Sequence, residues 1–105
     1  MDVDPEVAVT RASLEKIAVF ANHPLKRILP DDDWSALQIG DEDLISLAFG
    51  LQTIARQQNP KATLSRSDIS DGKVRDAVIL VLSKSGFGKP SSSQADELIR
   101  LAKSL

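Results

Sequence analysis

Between Asp41 and Gln58 the residues Leu44, Leu47, Ala48, Leu51, Ile54 and Ala55 recur at helical spacing, with no proline to interrupt them. Such a stripe suits a helix of 3.6 residues per turn, whereas a strand would need strict alternation. The chain is thereby committed to one long amphipathic helix whose apolar face needs partners. Aromatic residues make up only 4% of the sequence, so the core must come from Leu, Ile, Val and Ala. Aliphatic cores of that sort suit packed helices.

The remaining segments repeat the pattern. Asp4-Pro5-Glu6 has the order of a helix start: an N-cap aspartate, a proline at the first helical position, an acid in the first turn. Val7, Leu14, Ile17, Ala18 and Ala21 follow at helical spacing, and Asn22-His23-Pro24 ends the run. Leu25, Ile28 and Leu29 allow one short turn before Pro30. Residues 30–41 read as a loop anchored by Trp34, Leu37 and Ile39. After Asn59-Pro60, the polar "KATLSRSDIS" has room for a turn of helix, with Leu64 and Ile69 as anchors. Ser70 or Asp71 is the expected cap of the next helix, in which Val74, Ala77, Val78, Val81 and Leu82 form the stripe. The run "AVILVL" is also compatible with a buried strand, but its length and charged flanks favour helix. Gly86 and Gly88 break it, residues 86–92 form a linker, and Ser93 with Asp96 has capping-box spacing for a C-terminal helix over 92–105. The expectation is a single all-α domain over residues 1–105, a bundle of four to five helices.

Composition excludes several kinds of protein. There is no cysteine, hence no disulfide, thiolate or cysteine-rich zinc chemistry. Thirteen basic residues scattered among fifteen acidic ones give a net charge of −2 and no basic cluster for nucleic acid. The acidic N-terminal stretch and the lack of a long apolar run imply no secretory signal, no membrane span and a cytoplasmic location.

Catalytic constellations are missing as well. The single histidine, His23, sits before a proline at a helix end, where a structural role is expected. Asp31-Asp32-Asp33 and Asp41-Glu42-Asp43 together hold enough oxygen ligands for a cation, yet lack the spacing and glycine of an EF-hand loop. Their expected roles are to cap a turn around Trp34 and to complement the dipole of the helix that follows. "SGFGKPS" fails as a phosphate loop, with Ser83 at the first glycine position and Pro90 at the Ser/Thr position. We therefore expect neither an enzyme nor a resident cofactor or metal.

Ile45 and Phe49 lie one turn apart and off the core stripe, so the helix is apolar around more than half its circumference. They lie within the stretch "ILPDDDWSALQIGDEDLISLAFGLQTI". That stretch resembles the centre of an acyl or peptidyl carrier protein, whose "Leu-Gly-x-Asp-Ser-Leu" motif opens the second helix. In this alignment Ile39 stands for the first leucine, Gly40 for the glycine and Glu42 for the aspartate. Asp43 stands for the serine and Leu44 for the last leucine. "SDISDGKVRDAVILVL" is similar to the carrier segment that joins the third helix to the fourth, so the likeness spans roughly residues 10–84, with the C-terminal helix as an addition.

The resemblance implies a carrier-like bundle that has lost its attachment point. In that family the serine hydroxyl carries phosphopantetheine, and Asp43 has no hydroxyl to load. The implied function is non-enzymatic docking to a protein partner, such as a biosynthetic enzyme, through the second helix. Leu44, Ile45, Phe49 and Trp34 are the expected contact residues, unless the extra C-terminal helix covers Ile45 and Phe49. Two alternatives stay open: a working carrier that bears phosphopantetheine on Ser46, and an unrelated acidic helical adaptor or inhibitor. A helix apolar on two sides also fits a homodimer.

Overall fold

A computed structural model describes residues 3–105; the first two residues of the acidic N-terminal stretch lie outside the described residues. Asp4 caps the first helix through its side chain, Oδ1 accepting the Glu6 N–H at 2.9 Å, and α1 runs Pro5–Ala21. It ends in a left-handed Asn22 (φ 55°), with the Asn22 N–H donating to Val19 O and the His23 N–H to Ala18 O. That pairing is a Schellman closure, and it occupies His23 with the end of the helix. A 3-10 turn, Leu25–Arg27, leads into the long loop before α2 (Asp41–Gln58).

Three further helices complete the bundle: α3 (Arg66–Ile69), α4 (Val74–Lys84) and α5 (Ser92–Lys103). "AVILVL" lies within α4 and is helical. No strand is present among the described residues; extended pairing amounts to an isolated bridge between Asp33 and Lys73. The all-α expectation therefore holds. Helix α1 lies at the centre, packed against α2, α4 and α5, while α4 also meets α2 and α5, and α3 rests on α2. The whole measures 35 × 30 × 23 Å.

The core is aliphatic, as the composition required. Leu14 and Ile17 of α1, Leu47 and Leu51 of α2, and Val78, Val81 and Leu82 of α4 are fully buried together. Each such side chain contributes about 1.5–3 kcal/mol on leaving water. Three buried hydroxyls, those of Thr10, Ser13 and Ser85, each donate to the carbonyl one turn earlier. Small residues let helices approach: a Cβ on Gly50 would stand 3.1–3.2 Å from the methylenes of Lys16, whose stem crosses α2 there.

Two caps differ from expectation. Helix α4 starts after Lys73, with Ser70 and Asp71 left in the preceding turn. Its first N–H groups are met from a distance, Val74 N donating to Asp32 O and Arg75 N to Pro30 O. Helix α5 is capped by Ser91 with Gln94, whose side chain and backbone bond reciprocally at 2.8 and 3.2 Å. Asp96 is engaged elsewhere, by Arg75 of α4.

Candidate functional site

The loop that leads into α2 is strapped down along its length. Besides the two backbone bonds to α4, Asp32 Oδ2 accepts the Leu29 N–H at 2.9 Å and Asp33 Oδ1 the Ala36 N–H at 2.7 Å. Asp31 pairs with Arg75 at 2.8 Å, and the same guanidinium holds Asp96 of α5 at 2.6 Å. Arg75 thus joins loop, α4 and α5. Hydrogen bonding to Arg75 holds the Asp31 carboxyl below the usual carboxylate range, and the two carboxylates, Asp96 foremost, raise the already high pKa of Arg75.

Each member of the first acidic run therefore has its own structural partner. Among the described residues, no three His, Cys, Asp or Glu side chains converge as a metal group would. No helix is long and apolar enough to cross a membrane, again among the described residues.

Trp34 is the anchor of the loop. Its indole is buried at 4% exposure, and Nε1 donates to the Ile69 carbonyl of α3 at 2.6 Å. Leu37 and Ile39 are buried beside the same core. Gln38 takes a left-handed conformation (φ 58°), and Gly40, with an ordinary φ of −81°, caps α2. A Cβ on Gly40 would meet nothing within 4 Å, so neither backbone geometry nor close packing demands glycine there.

The acidic triplet forms the first turn of α2. Asp41, Glu42 and Asp43 are all exposed, which places three carboxylates at the positive end of the helix. Asp41 lies 3.6 Å from Arg66 of α3, an exposed pair of small energetic weight. Trp34, Gln38, Ile39, Gly40, Asp41 and Leu44 border a shallow, open depression between the loop and α3.

The expected contact residues divide into two pairs. Leu44 (3% exposed) and Trp34 are core residues, and this corrects their assignment to a contact surface. Leu44 points inward because it continues the stripe of Leu47 and Leu51, and Trp34 turns inward because its N–H has a buried carbonyl to meet. Ile45 and Phe49, by contrast, are 58% and 67% exposed. Helix α5 does not cover them: it packs on α1 and α4, burying Ala95, Ile99 and Ala102, and the Ala102 carbonyl accepts Arg11 Nη1 at 2.8 Å. Ser46, between the two apolar residues, is exposed as well.

Two charged residues flank this apolar pair. Glu42 lies seven positions before Phe49 and Arg56 seven positions after it, both exposed. Arg56 is held by Nε, which donates to Ala62 O at 2.7 Å. Among the described residues neither Glu42 nor Arg56 takes part in an ion pair. Heptad spacing from Phe49 was the available signal, since seven residues fall about 20° short of two full turns.

No family model, curated protein or solved structure matches the chain.

Proposed function

We propose that this is a non-enzymatic, carrier-like protein of the cytoplasm that works by docking to another protein through the outer face of α2. The observation that carries this is the exposure of Ile45 and Phe49, one turn apart, on a helix whose opposite face already fills the core. Large apolar side chains paired on a helix face are the usual anchors of helix-in-groove recognition. The order of elements supports the carrier likeness: a long first helix, a strapped loop, an acid-capped α2, a short α3 and then α4. On the carrier likeness Asp43 stands where the attachment serine would be, on the exposed first turn, where a carboxylate suits the helix dipole and has no hydroxyl to form a phosphodiester.

Phe49→Asp tests the docking face. Phe49 is largely exposed, so the variant is expected to keep the helical circular-dichroism spectrum and its melting temperature. It is also expected to lose the complexes that the wild-type chain forms in extracts of its own cells, followed by size-exclusion chromatography with immunodetection. An unchanged elution profile for the folded variant would contradict the proposal.

A further inference from the structure

The outer face of α2 is self-complementary. Measured from Phe49, Glu42 and Arg56 stand at equal distances in opposite directions, about 10 Å along the axis at 1.5 Å per residue. Heptad spacing keeps both within about 20° of the Phe49 direction. A second copy of α2 laid antiparallel across a two-fold axis at Phe49 brings residue i against residue 98 − i. Phe49 then meets Phe49, Ile45 meets Thr53, Ser46 meets Gln52, and Glu42 meets Arg56 at both ends. Neither charge has an ion-pair partner within its own chain among the described residues, and the Nε bond to Ala62 leaves the two Nη groups of Arg56 for an incoming carboxylate.

We infer that a second copy of this chain occupies the docking face, as an antiparallel, two-fold α2–α2 dimer. The inference rests on the reading of this face as a docking surface and names its occupant. A partner matched to this face needs an apolar centre with one positive and one negative charge at opposite ends, and the face itself has that pattern. A two-fold contact between identical patches also closes, so the assembly stops at two. A single helix face of about four turns is small beside the ~800 Å² per partner of a standard stable interface. The dimer is accordingly weak, reversible and open to exchange with another protein.

Sedimentation velocity over a concentration series of the full chain tests the arrangement. Wild-type protein is expected to show a reversible monomer–dimer equilibrium. Glu42→Arg and Arg56→Glu, each alone, set like charges opposite each other twice and should weaken the dimer about tenfold. Mixed in equal amounts, the two variants form a heterodimer with both charge pairs attractive, and wild-type strength should return. Both substitutions are on exposed helix positions, and circular dichroism checks that each variant is folded. A mixture as weak as either variant alone would overturn the antiparallel register. Wild-type protein that stays monomeric up to about 1 mM would overturn the dimer altogether. In that event the docking proposal would still stand or fall on the Phe49→Asp complexes, so the two failures are distinguishable.

Discussion

Replacing Trp34 with Phe separates an anchor from a contact residue. The indole N–H donates at 2.6 Å to the carbonyl of Ile69, a residue only 2% exposed, and Trp34 itself is 4% exposed. Phenylalanine keeps an aromatic ring in the site but removes the donor. The Ile69 carbonyl keeps the Gly72 N–H at 3.1 Å, so the lost bond costs about 0.5–1.5 kcal/mol. The space vacated by the larger ring system adds about 1 kcal/mol, since the surrounding loop and α3 relax only in part. The expected loss is about 1.5–2.5 kcal/mol, which for a domain of this size lowers the melting temperature on the order of 5–15 °C. The assay is thermal and urea unfolding followed by circular dichroism, because Trp34 is the chain's single tryptophan and the variant loses that fluorescence. Below its melting transition the variant should dock through α2 as the wild type does. A stability within about 0.5 kcal/mol of wild type, combined with lost docking, would refute the anchor role and return Trp34 to the contact surface.

Three further perturbations address the strap, the helix crossing and the attachment position. Arg75 holds Asp31 below the ordinary carboxylate value of 3.8, so this interaction stabilises fully above that pH and is lost as pH falls through the lower folded value. Arg75→Met should lower the melting temperature by a few degrees at neutral pH and flatten its fall below about pH 4, measured by melts across pH; an acid limb as steep as wild type's would contradict the assignment. Gly50→Ala should raise stability by about 0.5–1 kcal/mol in urea unfolding, because alanine suits a helix interior and the Lys16 methylenes it meets can shift; a loss of stability would mean that they cannot. In coexpression with a promiscuous phosphopantetheinyl transferase, intact mass should stay unchanged for wild type and rise by one prosthetic arm for Asp43→Ser. A wild-type gain mapped to Ser46 would contradict the loss of the attachment point, and a folded but unloaded Asp43→Ser would contradict the carrier likeness.

Local signals carried far in this chain. The bounds of α2, the Asp4-Pro5 start of α1 and the break at Gly86 and Gly88 all follow from neighbouring residues, and the structure has them in place. What sequence left illegible depends on partners far along the chain. The start of α4 combines a local bond, Lys73 N–H to Asp76 Oδ2 at 3.0 Å, with the distant carbonyls of Pro30 and Asp32, and Ser70 and Asp71 take no part in it. Two Ser pairs compete as caps for α5, and the choice of Ser91 with Gln94 goes with the capture of Asp96 by Arg75 across the bundle. Trp34 illustrates the same limit at the candidate site, since a tryptophan in an acidic loop reads equally as anchor or contact until α3 supplies the carbonyl. Ile45 and Phe49 were visible as surplus to the core stripe; that α5 leaves them open depends on Ala95, Ile99 and Ala102 seating it on the far side.

We propose that other protein binds at the face of α2 bearing Ile45 and Phe49. The most direct test is a photo-crosslinking amino acid placed at Phe49 in living cells, with the exposed Ser83 of α4 as the control position. Discrete protein adducts are expected from position 49, none of them from position 83, and they should be lost when Ile45→Asp is introduced into the same chain. No adduct from position 49, or the same adducts from both positions, would contradict it.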